Sequence, residues 1–360
     1  MSLIIAPSAQ AQSSQWALTY LQSSQVSAIS TGTGVTVAVI DSGVQSVPDL
    51  SSALLPGADF STSSSSSGNG QSDLDGHGTG IAALIAGDGT SLSGLAPGAK
   101  ILPVKDTTGQ ILFPASVVAA IDFAVANHVQ VINFSQKIST TPYPTIAAAI
   151  AAAESANIVV IAGSGNDGTA QVDYPAAYPG VVAVGATDQS GAVWPDSNTG
   201  SQVSLTAPGV SVDVENETGL TGPSNGTSIS TAYVSAAAAL IRSLHPTWTA
   251  GQVISDLITT AKPGPGQSAG QRSDSYGYGV VNPLAALQAA EPAQTANPLL
   301  PKAAPTTQPR NGPSAPTVAQ DPGTTSGSSN TGLYFAIAAV ALVLIIIVLV
   351  LRTRRQADRP

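Results

Sequence analysis

The sequence contains no cysteine, which removes disulfides, zinc thiolates and a cysteine nucleophile together. That absence does not place the chain in a reducing compartment, because an exported domain with a large core needs no covalent staples. Basic residues are also scarce: 12 Lys and Arg stand against 21 Asp and Glu, for a formal charge of -9. They are thinly spread until the last nine positions, without a basic patch or interleaved aromatics, so a nucleic-acid partner is set aside. The first residues, MSLIIAPSAQAQ, lack the positive charge and long apolar run of a normal export signal. They offer only a short apolar patch and an Ala-Gln-Ala suited to signal peptidase. Residues 1–13 are therefore read as the remnant of a signal peptide or a processing segment, and 14–33 as an N-terminal extension.

One long apolar run is present. From Leu333 to Leu351 the chain reads LYFAIAAVALVLIIIVLVL, 19 residues without a charge; at 1.5 Å per residue this is about 28 Å, the thickness of a hydrocarbon core. Arg352, Arg354, Arg355 and Arg359 follow it. Arginines at one end of a span put that end in the cytoplasm. The expectation is a single-pass protein of the cell membrane: a transmembrane helix at 333–351 with the bilayer as its partner, a basic cytoplasmic tail at 352–360, and everything before it outside. Residues 291–332, rich in Pro, Ala, Thr and Ser, read as an extended linker. The Ser-rich run near 62–71 reads as an exposed loop.

Between residues 34 and 290 the pattern is α/β. VTVAVI (35–40), KILPV (100–104), VQVINF (129–134), NIVVIAG (157–163) and GVVAVGA (180–186) are continuous apolar runs, as expected of strands buried on both faces. PASVVAAIDFAVANH and PTIAAAIAAAESA, which begin at Pro114 and Pro144, read as helices with proline in the first turn. Strand and helix alternating in this way predict a mostly parallel sheet covered on both faces. In such sheets the active crevice lies outside the carboxyl ends of the strands.

Three residues sit at the ends of elements. Asp41 ends the first strand, where a desolvated carboxylate needs a partner such as an imidazole N–H; a loop-initiating Asp bonded to its own following amides is the alternative. His77 lies between two glycines just before a helix of small residues. Its ordinary pKa near neutrality suits a general base, whereas His128 and His245 read as structural. Ser228 opens a long small-residue helix within NGTSISTAYVS (225–235), where the N-terminal field favours developing negative charge. Thr227 or Ser228 acting only as a helix cap is the alternative there. Asp73 and Asp75 leave a calcium site open beside plain solubility; otherwise no cofactor is expected.

The spaced motifs VAVIDSGV (37–44), DGHGTGIAALIAG (75–87), GLAPGAKILPVK (94–105), VINFS (131–135), AGSGNDG (162–168), TAPG (206–209), NGTSISTAYVS (225–235) and YGYGVVNPLAAL (276–287) resemble the subtilisin-like serine proteases. The resemblance implies a three-layer subtilisin-like fold and a triad of Asp41, His77 and Ser228, acting on an extended polypeptide substrate. Asn166 would supply the side-chain donor of an oxyanion hole, beside the Ser228 amide. Together with the expected spacer, span and basic tail, the chain resembles the mycosins, membrane proteases associated with type VII secretion, so components of such a secretion system are expected partners. Rival roles are a broad cell-surface protease and a structural stabiliser of a secretion complex.

Several departures stand against the family pattern. Gly80 replaces a frequent second histidine, Ala232 a frequent proline, and Gln136-Lys137 a frequent Leu-Gly on the strand edge that pairs with substrate. The last predicts a narrowed or reshaped first pocket. Mycosins also carry disulfides that this chain lacks.

Overall fold

The computed structural model describes residues 15–301 apart from 63–64 and 109–110. Its strands are β1 (Thr36–Asp41), β2 (Ala58–Asp59), β3 (Lys100–Lys105), β4 (Thr107–Thr108), β5 (Ile111–Leu112), β6 (Val131–Phe134), β7 (Val159–Gly163), β8 (Val182–Thr187), β9 (Val203–Pro208), β10 (Val212–Glu215) and β11 (Thr221–Ser224). Its α-helices are α1 (Trp16–Tyr20), α2 (Ser23–Ser27), α3 (His77–Ala86), α4 (Pro114–Ala126), α5 (Pro144–Ser155), α6 (Thr227–Leu244), α7 (Ala250–Thr259) and α8 (Pro283–Gln288). Among the described residues, seven strands form one parallel sheet in the order β2-β3-β1-β6-β7-β8-β9. The chain fills one side of β1 with β3 and then crosses to the other side for β6. This reversal puts a crevice at the carboxyl ends of β1, β3 and β6.

Alternation along the strands explains why their sequences are apolar throughout. Val37 and Val39 face one core with Ile101, Val131, Ile161 and Val184, while Ala38 and Ile40 face a second with Leu102, Val104, Ile132 and Phe134. A period of two delivers alternate side chains to opposite faces, so both sets must be apolar. The first core is closed by α1, α3, α6, α7 and α8, the second by α4 and α5. This is the three-layer α/β arrangement expected from the sequence. The alanine run 236–239 of α6 is essentially inaccessible, and its lack of bulk lets the helix backbone lie close across the middle of the sheet.

The predicted strands and the two proline-led helices form, with ends shifted by a residue or two. The sequence reading missed β9, whose Ser204 and Thr206 break the apolar run yet are buried. They are tolerated because the segment 278–281 bonds along β9: Tyr278 N donates to Ser204 O and Val281 N to Thr206 O, each at 2.8 Å. At the beginning of the described residues, the Gln15 side chain bonds both the amide and the carbonyl of Ser93 at 3.0 Å, and Trp16 Nε1 donates to Ser211 O at 2.9 Å. Residues 291–301 lie against the domain: Asn297 Nδ2 donates to Gly180 O at 2.8 Å and Thr249 Oγ1 to Thr295 O at 2.7 Å.

The expected membrane helix is corrected. Among the described residues no helix is long and apolar enough to cross a membrane, and residues 333–351 lie outside the described residues. The longest described helix, α6 with 18 residues, has about the right length, but it carries Thr227, Ser228, Ser230, Thr231, Ser235 and Arg242 and is buried inside the protein. The single-pass topology, the bilayer partner and the cell-membrane localisation lose their structural basis with it.

The close seat of α6 on the sheet yields a prediction. Ala237→Leu should lower stability by about 1–3 kcal/mol through overpacking, measured by urea unfolding; an unchanged midpoint would mean that the layer has slack.

Candidate active site

Asp41 is the last residue of β1 and its side chain is only 2 % exposed. Oδ1 accepts from Ser42 N at 2.7 Å, Ser42 Oγ at 3.2 Å and His77 Nδ1 at 2.8 Å. An ionised carboxylate only accepts, so Nδ1 carries the proton and Nε2 is left for the cleft. The Asp alternative of bonding its own following amide is thus realised together with the imidazole contact.

His77 is the first residue of α3. Asp73 anchors the turn before it, accepting from the amides of Asp75, Gly76 and Thr79 at 3.0–3.1 Å and from Thr79 Oγ1 at 2.6 Å. Burial opposes charge on Asp73, yet these bonds hold its carboxyl below the usual range. Asp73 is therefore occupied in shaping a helix start. Among the described residues no group of three or more His, Cys, Asp or Glu is placed to hold a metal ion. Gly78 brings α3 against β1: a Cβ there would lie 2.0 Å from Gly43 O and 3.1 Å from the Asp41 Cβ. Gly80 does the same for the β10–β11 hairpin, since its Cβ would lie 2.3 Å from Val214 Cγ1. No side chain fits at position 80, which accounts for the missing second histidine.

Burial disfavours a charged His77 ring, but the Asp41 carboxylate and its hydrogen bond outweigh that, with help from Asp75 and Asp73, and lift the imidazole to about 9. A further acid lies close by. Asp106 N donates to Asp41 O at 3.1 Å, and Gln136 Nε2 donates to both Asp106 carboxylate oxygens at 2.7 and 2.8 Å. Burial pushes the Asp106 carboxyl up to about 8, against the Gln136 bond and with the Asp41 charge. Burial thus disfavours a second negative charge beside Asp41.

Ser228 is the second residue of α6 and half-buried. It does not cap the helix. Its Oγ donates to Ser135 O at 2.7 Å, and the N-cap, Gly226, has no side-chain cap. Ser228 shares a cleft of about 560 Å³ with His77 and Asn166. No hydrogen bond joins its hydroxyl to His77, so proton transfer between them requires the hydroxyl to leave the Ser135 carbonyl. Asn166 follows β7 and accepts at Oδ1 from Thr227 N at 2.9 Å and Thr227 Oγ1 at 2.8 Å. Its amide NH2 is thereby turned away from Thr227. The point where a Cβ on Gly226 would sit is 3.7 Å from both Asn166 Nδ2 and Ser228 N.

The structure thus brings Asp41 to His77 directly, and both Ser228 and Asn166 into the same cleft. Sequence reasoning missed the support behind Ser228. Ser235 Oγ donates to Asn133 Oδ1, Asn133 Nδ2 to Ser135 Oγ, and Ser135 Oγ to Ser228 O, at 2.9, 2.9 and 3.0 Å. A polar residue inside the apolar strand VINF was the signal, because a buried amide requires partners. His245 stacks on Trp248 with ring centroids 3.9 Å apart, a structural histidine as expected.

The sequence profile of the Subtilase family matches residues 32–279. Subtilisin E of Bacillus subtilis (strain 168) is 39% identical over 267 residues, covering 72% of this chain and 67% of its own. Among solved structures, MycP1 from Mycobacterium smegmatis superposes with a TM-score of 0.68 at 29% identity, covering 82% of this chain and 89% of its own. MycP1 from the ESX-1 type VII secretion system gives 0.69 at 30%, covering 79% and 88%.

The carboxylate's control of the ring is measurable. By NMR the His77 imidazole should titrate near 9. In Asp41→Asn, where only Asp75 and Asp73 still oppose burial, it should fall towards the ordinary histidine value of about 6.5; an unmoved titration would separate the two residues electrostatically.

Proposed function

The chain belongs to the subtilase family of serine proteases, and from that premise we propose that Asp41, His77 and Ser228 act as one unit that hydrolyses peptide bonds of exported polypeptides. The observation that carries this reading is the 2.8 Å bond from His77 Nδ1 to buried Asp41, in the cleft that also holds Ser228.

Substrate binding draws the Ser228 hydroxyl from the Ser135 carbonyl to His77 Nε2. In the neutral ring, the form that grows as pH rises towards about 9, Nε2 takes the proton as Oγ attacks the carbonyl carbon, and the imidazolium forms beside Asp41, which holds the tautomer and favours the charge. Asn166 Nδ2 and Ser228 N donate to the oxyanion, an interaction stronger in the transition state than with the ground-state carbonyl. His77 then gives its proton to the leaving amine, and the peptide C–N bond breaks to leave an acyl ester on Ser228. Water, deprotonated by His77, attacks the ester, the acid is released and Ser228 recovers its proton. The likeness to MycP1 from a type VII secretion system supports a place beside such a system, with its exported proteins as the substrate class.

A fluorophosphonate probe should label the folded domain at Ser228, and Ser228→Ala should abolish both labelling and peptide hydrolysis. A folded wild type that resists the probe would leave the stabiliser role in its place. Asn166→Ala should lower kcat about 10²–10³-fold with little change in KM, the magnitude seen when the corresponding donor is removed from a subtilisin; an equal rise in KM would assign Asn166 to ground-state binding.

A further inference from the structure

A second, smaller cavity of about 110 Å³ opens on Ser228. The end of β6 with Ser135 and Lys137 forms one wall, and the loop after β7 with Gly165 and Asp167 forms the other. Lys137 joins the two walls: its Nζ lies 2.5 Å from Asp167 Oδ2 and 3.2 Å from Asp173 Oδ2. The partners differ in kind. Asp167 is 54% exposed, whereas the Asp173 side chain is only 3% exposed and also accepts from Asn198 Nδ2 at 3.2 Å. Asp173 stands directly behind the cavity lining, since a Cβ on Gly165 would lie 2.3 Å from its Oδ2. A buried carboxylate beneath a glycine wall, with an ammonium of the same chain over it, is a cation-binding pocket filled from within.

We propose that Lys137 sets the selectivity of this cavity, restricting the substrate side chain next to the cleaved carbonyl to small uncharged groups and masking an acidic pocket that would otherwise accept Lys or Arg. The inference rests on the peptidase reading above and deepens it. Size is the first restriction: about 110 Å³ is less than the roughly 150 Å³ of an enclosed cavity that accepts a benzene ring, which disfavours aromatic side chains. Charge is the second. Two carboxylates face one ammonium, which disfavours an acidic side chain, and a basic one must displace Lys137 from both acids. The Lys137 side chain is 42% exposed, so removing it uncovers the pocket while leaving the core untouched.

The test is cleavage of four peptides that differ only in the residue before the scissile bond: Ala, Phe, Lys or Glu. The wild type should cleave the Ala peptide best, with kcat/KM at least tenfold above the other three. Lys137→Ala should raise the Lys peptide relative to the Ala peptide by tenfold or more and should also admit Phe. Lys137→Met, which keeps the bulk without the charge, should raise Lys less and leave Phe excluded. Asp173→Asn in the Lys137→Ala background should cancel most of the gain for the Lys peptide but keep that for Phe. Equal wild-type cleavage of the Phe or Lys peptide, or an unchanged preference in Lys137→Ala, would overturn the selectivity while leaving the peptidase reading intact. Absence of cleavage of all four peptides, with no fluorophosphonate labelling, would overturn both.

Discussion

The hydrogen bond between a desolvated carboxylate and an imidazole at the end of the central strand is the constraint around which this domain is arranged. Asp41 is buried at a point where the sheet reverses its order, and a charge so placed is costly unless it is paired. His77 meets that need only because α3 comes unusually close to β1. The approach depends on the absence of a side chain at Gly78 and on Asp73 gathering the amides before the helix. The sheet, the glycine contact and the helix start therefore serve one interaction. Loss of any of them would reach the chemistry through the position of a single ring.

Asp106 shows how the fold protects that pair from its own surroundings. Asp106 would place a second negative charge beside Asp41 if it were ionised, but burial disfavours that charge and Gln136 satisfies the carboxyl. Gln136 and Lys137 depart together from the family's Leu-Gly pattern, and each of them contacts an acid that lies near the cleft. The two substitutions read as one change in electrostatics, made at adjacent positions on the wall beside Ser228.

Much of the fold was legible because buried parallel strands leave continuous apolar runs, and prolines at 114 and 144 marked two helix starts. β9 was not legible, since its buried Ser204 and Thr206 depend on a partner segment more than 70 residues away. Asp41, His77, Ser228 and Asn166 were read as candidates from their flanking motifs, and the structure bonds His77 to Asp41 and sets His77, Ser228 and Asn166 around one cleft. The Ser135 carbonyl as the resting partner of Ser228, and the chain through Asn133 and Ser235 behind it, were not: contacts between distant elements leave no local spacing to read. Asp173 was invisible for the same reason, because its meaning comes from Gly165 and Lys137 in space. The long apolar run at 333–351 was the plainest local signal in the chain, yet nothing in the described residues corresponds to it.

The attachments at Gln15 and Trp16, and those made by residues 291–301, bear on the survival of the molecule among its own copies. A peptide bond is cut only after several residues have been drawn out straight and laid into a neighbour's groove. Segments held by side-chain bonds to Ser93, Ser211 and Gly180 would first have to peel away from the body. Resistance to self-digestion is therefore set at these points by how firmly the strands of chain are tacked down, whatever sequence a neighbouring copy prefers to cut.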